Sequence, residues 1–126
     1  MSEVDIQDKY IGLLLRSGEP EEYTAGTVVF NEGDPADRMY VVQSGSVSLS
    51  IGDRVVETVT AGGLFGEIAV IDREPRSGSA LAESDTILVA IDKRRFWFLV
   101  QETPYFAEIV MRVMANRLRR ETALDS

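Results

Sequence analysis

The sequence predicts a mainly β domain, a small β-sandwich or β-roll flanked by helices at both ends. Three observations carry this expectation. Between about residues 20 and 92 the chain breaks into brief β-branched runs (TVVF, MYVV, SVSLSI, RVVETVT, TILVAID) with turn residues roughly every 8 to 12 positions. The segments on either side have helical rather than two-residue periodicity. A chain of 126 residues can bury one core but not two full ones, so residues 1–126 are expected to form one domain, with the roll over about 20–92 and C-terminal helices over about 93–122.

Taken in order, Val4, Ile6, Tyr10, Leu13 and Leu14 share a helical face, and Gly18 and Pro20 end the pattern, which predicts a short helix over 4–16. TVVF at 27–30 and MYVV at 39–42 read as strands on either side of the turn-rich NEGDPAD at 31–37. SVSLSI has the clearest two-residue period: Val47, Leu49 and Ile51 are expected to face the core, and Ser46, Ser48 and Ser50 to face out. Gly52-Asp53 then turns the chain into RVVETVT as a hairpin. Ala61-Gly62-Gly63 breaks that strand, and FGEIAVIDREPRSGSA is the least strand-like part of the middle region. SALAES and TILVAID resume the strands. KRRFWFLVQ and the stretch from Pro104 to about Ala123 read as helices, the second carrying Ile109 and Val113 beside an apolar series of Val110, Met114 and Leu118. No internal repeat, linker or low-complexity segment interrupts the chain.

Composition narrows the chemistry. The chain is 44% apolar and 27% charged, near the globular average. Its net charge of −8 repels phosphate backbones over most of any surface, so a small anion needs a locally positive pocket. There is no Cys and no His, which argues against zinc, haem or iron–sulfur sites, and no metal ligand is expected. The same two absences remove thiol chemistry and the usual base of Ser-His and Cys-His nucleophiles, so no catalytic residue is expected either. MSEVDIQDKY is acidic, and IGLLL at 11–15 is too short for a signal-peptide core or a membrane span; the expectation is a cytoplasmic protein.

Chemistry concentrates between Phe65 and Ala80. Gly66-Glu67-Ile68-Ala69 reads as a turn into a short helix whose first N–H groups lack intrahelical partners and attract an anion. Arg76 follows Glu67 by nine residues, past Pro75, so the chain can fold back and aim a guanidinium at the same point. A bare anion site has no use for Glu67, whereas a carboxylate beside a phosphate can accept hydrogen bonds from a ribose hydroxyl. The ligand expected is a nucleotide.

This segment resembles the phosphate-binding cassette of the cyclic-nucleotide-binding domain family, which includes catabolite-activator-type regulators, regulatory subunits of cAMP-dependent kinase and nucleotide-gated channels. Gly66, Glu67, Ile68, Ala69, Pro75, Arg76 and Ser77 match in register without a gap. Upstream, NEGDPADRMYVVQSGSV supplies Gly33, Asp34, Asp37, Tyr40 and Gly45 in similar places, and the likeness runs over roughly 20–122. The resemblance implies a double-stranded β-helix (jelly-roll-like β-roll) with an N-terminal helix and C-terminal helices. It implies cAMP as ligand, with cGMP admitted because Ser77 offers a hydroxyl after the arginine. Glu67 would take the ribose 2′-hydroxyl, Arg76 the cyclic phosphate, and backbone N–H groups near Ile68, Ala69 and Ser77 further phosphate contacts. Asp37 would brace Arg76, Val47 and Leu49 would wall the base, and the C-terminal helix would supply a lid. Ala36 and Gly78 depart from the glycine and alanine frequent at those positions, and both are small.

Other readings compete with this one. The Glu67–Arg76 pair read as an incidental surface ion pair would be worth only about 0 to 1 kcal/mol. Gly26, Gly33, Gly45 and Gly52 read as turn punctuation. Phe96, Trp97 and Phe98 could form a stacking platform, but consecutive helical residues diverge, and packing into the roll is expected. Arg112, Arg117, Arg119 and Arg120 are expected to form a solvated helix face rather than a DNA contact. Only six residues follow Arg120, which leaves no room for a helix-turn-helix and makes DNA an unexpected partner. A cupin-like metalloenzyme lacks its histidines. The leading expectation is therefore a non-enzymatic cyclic-nucleotide sensor acting on a protein partner or fused effector, with a homodimer through the C-terminal helix left open. The alternative is a degenerate β-roll interaction module with no nucleotide ligand.

Overall fold

The computed structural model describes residues 12–125, and side chains as far as residue 119. Of the helix expected over 4–16, residues 12–15 are helical and the remainder up to residue 11 lies outside the described residues. Eight strands follow: β1 (Pro20–Tyr23), β2 (Val28–Phe30), β3 (Arg38–Ser44), β4 (Ser46–Ile51), β5 (Arg54–Thr60), β6 (Leu64–Phe65), β7 (Ser79–Ala82) and β8 (Thr86–Asp92). A short helix, α1 (Glu67–Asp72), interrupts them, and α2 (Lys93–Glu102) and α3 (Pro104–Asp125) follow. The strands form two four-stranded antiparallel sheets, ordered β1-β8-β3-β6 and β2-β7-β4-β5. This is the expected mainly β roll with flanking helices.

The two sheets face each other over Tyr40, Val42, Val47, Val59, Phe65, Ala80 and Leu88. The other face of the β3-containing sheet is covered by helices, with Met39, Val41, Leu64 and Ile91 packed against Val70, Phe96, Leu99, Phe106 and Val110. Residues 39–42 of β3 are thus buried on both faces, which is why MYVV runs without polar alternation. The helices that cover the roll are held by two local devices. Asp92 caps α2 by accepting a hydrogen bond from the Arg95 N–H at 2.7 Å, and Pro104 opens α3 one residue after Thr103 closes α2. No helix among the described residues is long and apolar enough to cross a membrane.

Three expectations need correction. The β4 alternation holds only at its start. Ser48, paired between β5 and β7, is buried with its hydroxyl donating to the Leu81 carbonyl, and past a bulge in the pairing with β5 between Leu49 and Ser50, Ile51 is exposed at the hairpin tip. Of the three consecutive aromatics only Phe96 enters the core. Trp97 (38% exposed) lies edge-on to it, and Phe98 (50% exposed) lies under the Arg95 guanidinium. The apolar series on α3 is buried at Val110 and half-buried at Met114, but Leu118 is 59% exposed because at this turn Arg117, not Leu118, takes the face toward the roll.

Candidate functional site

β6 pairs with β3 through Tyr40–Phe65 and Val41–Leu64, and this short ladder sets Gly66 at the rim of the roll. Gly66 has φ 84°, in the left-handed region, and a Cβ there would come 2.8 Å from Arg76 Nη1, so both backbone conformation and crowding call for glycine. α1 begins immediately after it, with Glu67 fully buried. The helix stops after six residues at Arg73, itself left-handed at φ 61°, whose N–H returns to the Ala69 carbonyl. The chain then passes Pro75 and brings Arg76 back beside Gly66, as the spacing predicts.

Arg76 is held at both its backbone and its side chain. Its N–H donates to the Asp34 carbonyl at 2.9 Å, and its carbonyl accepts from the Gly33 N–H at 2.8 Å, which ties it to the NEGDPAD turn. Its guanidinium, in a residue only 5% exposed, donates to the carbonyls of Gly66 (2.9 Å) and Arg38 (2.7 Å) and lies 4.1 Å over the Phe30 ring. Among the described residues it forms no salt bridge. Burial pushes its pKa below the ordinary value, and the charges of Tyr40, Asp37 and Glu67 only partly offset this. The expected Asp37 brace takes a different form: the Asp37 carboxylate accepts from Arg38 Nε at 3.2 Å, and the backbone of Gly33 and Asp34 holds Arg76 instead.

Facing Arg76 across the cavity, Glu67 meets a residue that sequence reasoning assigned to solvent. Arg117, on α3, bonds the Glu67 carboxylate through Nη1, spans both oxygens of Glu57 through Nε (2.9 Å) and Nη2 (3.1 Å), and also donates to the Leu64 carbonyl. Its side chain is 12% exposed. Burial acts to lower its pKa, but the hydrogen bonds and charges of Glu57 and Glu67 outweigh burial and hold it above the ordinary value. Arg112 and Arg119 are exposed as expected, Arg112 paired with Glu108, and the Arg120 side chain lies outside the described residues. A sequence signal for Arg117 existed: Phe106, Val110, Val113 and Arg117 fall at i, i+4, i+7 and i+11, so the arginine continues the buried stripe of α3.

The cavity between these groups measures about 100 Å³. Gly66, Glu67, Ile68, Ala69, Arg76 and Ser77 all line it, which brings together every expected polar contact. Of the two expected base walls Leu49 lines it, whereas Val47 is buried in the inter-sheet core. Ile51 and Val56, the residue of β5 left unpaired at the bulge, complete an apolar wall that the two-residue pattern did not reveal. Gly78 is also at the rim, where a Cβ would stand 2.5 Å from the Ser50 carbonyl; this close approach explains a glycine where alanine was the family expectation. Two buried side-chain atoms here lack a partner, the Glu67 Oε2 acceptor and the Arg76 Nε donor. Each such orphan costs about 1 to 3 kcal/mol, a cost that a ligand offering a donor to one and an acceptor to the other would relieve.

The sequence matches the profile of the cyclic nucleotide-binding domain over residues 20–103, more than half of the chain. The chain belongs to that family, and within it resembles both catabolite-activator-type regulators and kinase regulatory subunits. It is 28% identical over 120 residues to a CRP-like cAMP-activated global transcriptional regulator of Mycobacterium tuberculosis, covering 91% of this chain and 54% of that protein. It is 34% identical over 84 residues to the cAMP-dependent protein kinase regulatory subunit of Eremothecium gossypii, covering 67% of this chain and 18% of that one. The crystal structure of the Thermus thermophilus catabolite activator protein superposes with a TM-score of 0.80 at 32% identity, over 93% of this chain and 57% of that chain. The chain thus spans about half the length, or less, of the relatives it matches.

Proposed function

We propose that residues 1–126 form a single non-enzymatic regulatory domain whose activity is the reversible binding of a cyclic nucleotide, cAMP ahead of cGMP. The observation that carries this reading is the pair of buried, unpartnered atoms, Arg76 Nε and Glu67 Oε2, facing one small cavity with an apolar wall. Arg76 takes the cyclic phosphate, helped by backbone N–H groups near Ile68, Ala69 and Ser77. Glu67 takes the ribose 2′-hydroxyl. The base lies on Leu49, Ile51 and Val56.

The preference for cAMP rests on the names of the two curated relatives, both of which specify cAMP. Arg117, carried by α3, lines the cavity and bonds Glu67, so a nucleotide that engages Glu67 displaces Arg117 and moves α3. That movement is the output, read by a protein partner or fused effector, and sensing of this kind suits the cytoplasm. Calorimetric titration with cAMP, cGMP and AMP tests the reading. Saturable binding of cAMP with no heat from AMP is expected; no binding of either cyclic nucleotide would leave the roll as an interaction module without this ligand.

A further inference from the structure

Arg117 bonds the one residue that the nucleotide would also need. Glu67 uses Oε1 for the Arg117 Nη1 contact, while Oε2 is buried without a partner. Arg117 is itself fixed from three sides, by the two-point contact with Glu57, by Glu67 and by the Leu64 carbonyl. Glu57 lies on β5, Glu67 on α1 and Arg117 on α3, so one guanidinium joins three elements across the mouth of the cavity. The charges are balanced: two carboxylates, Glu57 and Glu67, against two guanidiniums, Arg76 and Arg117.

From this arrangement we infer that Arg117 is an internal latch, a cation that lines the cavity, joins Glu67 to Glu57 and so keeps a ribose from the unpartnered Glu67 Oε2 while holding α3 down in the ligand-free state. The inference rests on the nucleotide reading above and adds to it a direction, since Arg117 opposes binding instead of contributing to it. When a nucleotide engages Glu67, Arg117 gives up that carboxylate but keeps Glu57. Glu57 is therefore the pivot, a positioning residue whose two-point contact retains the guanidinium while the third contact breaks. Because Arg117 sits 13 residues beyond the start of α3, exchanging Glu67 for a nucleotide changes what anchors the middle of that helix. Occupancy and helix position then become one equilibrium.

Apparent affinity falls by the fraction of molecules in which the latch is open, so a latch closed in roughly 90 to 99% of molecules weakens binding about 10- to 100-fold, and removing it restores that factor. The test compares the parent with Arg117→Gln and with the charge-balanced double variant Glu57→Gln/Arg117→Gln, which removes one cation and one carboxylate together. The double variant guards against misfolding caused by a Glu57 carboxylate that has lost its Arg117 contact. Each is titrated with cAMP and with 2′-deoxy-cAMP after circular dichroism establishes that it is folded. The expected result is a tenfold or greater gain in affinity for the double variant with cAMP and with 2′-deoxy-cAMP alike, since each must open the latch to enter. Unchanged or weaker cAMP binding would make Arg117 a bystander or a ligand contact and would overturn the latch while leaving the nucleotide reading intact. An equal gain from Met114→Ala, which loosens the packing of α3 without touching Glu67, would overturn it too, by assigning the effect to general loosening of α3. Failure of the parent and both variants to bind any cyclic nucleotide would instead remove the nucleotide reading itself.

Discussion

Arg76 and Glu67 are both buried and both incompletely bonded, but they do not contribute alike. Arg76 presents a full positive charge whose existing hydrogen bonds go only to carbonyls, so an incoming phosphate meets it without displacing a carboxylate. Truncating one partner of such a desolvated charge pair costs on the order of 2 to 5 kcal/mol, and Arg76→Ala is expected to lose cAMP affinity by that amount. Arg76→Lys should weaken binding as well, because an ammonium cannot reach two carbonyls and a phosphate from one plane. Glu67→Gln should cost less, roughly 1.5 to 3 kcal/mol at most because it also loosens the Arg117 latch, and should reduce the preference for cAMP over its 2′-deoxy analogue. Calorimetry on the folded variants checks all three, and an Arg76→Ala variant that binds as tightly as the parent would dismiss the site. These two residues were legible in the sequence because nine positions and one proline connect them. For Arg117 only its place on the buried stripe of α3 was legible, and its role was not, because its partners lie 50 and 60 residues away.

At the scale of elements, the β6–α1 turn is closely tied, and the movement proposed above falls to α3. Arg76 is tied to the NEGDPAD turn by two backbone hydrogen bonds and to the Gly66 carbonyl through its guanidinium, and α1 ends at a left-handed residue after less than two turns, so the cradle itself has little room to shift. α3 is anchored firmly at Phe106 and Val110 and more loosely beyond, where Met111 and Leu118 are exposed and Arg117 is the main polar tether. Local openings of this kind set amide exchange. Adding saturating cAMP is therefore expected to change hydrogen-exchange protection between Glu108 and Leu118 while leaving the β3–β8 ladder unaltered. Unchanged protection over that stretch would take α3 out of the mechanism. Strand positions were largely legible from β-branched runs and turns, and the bulge between β4 and β5 was not, because a register shift depends on the partner strand. The triplet of aromatics on α2 misled for a related reason: which of three diverging side chains reaches a core is decided by where the sheet lies.

The whole molecule joins a sandwich core to a second core beneath the helices, and β3 contributes to both. Any movement of α3 therefore works against packing at Phe106 and Val110, which confines large displacement to the part of the helix past them. The same global view bears on DNA. One relative is a transcriptional regulator, of which this chain spans 54%, so nucleic-acid binding has to be judged on the surface of these residues alone. That surface carries a net charge of −8, and of the arginines on α3 that once suggested a basic face, Arg117 is neutralised by two carboxylates and Arg112 by Glu108. Phosphate contacts supply nearly all of non-specific affinity, and each needs an available cation. No binding to random or palindromic duplexes is expected at physiological salt, with or without cAMP, in a mobility-shift assay. Micromolar binding that weakens steeply with salt would overturn this expectation. If nucleotide strengthened that binding, the arginines of α3 would be the surface to mutate first, because release of Arg117 from Glu67 is the one change in cation availability that the site provides.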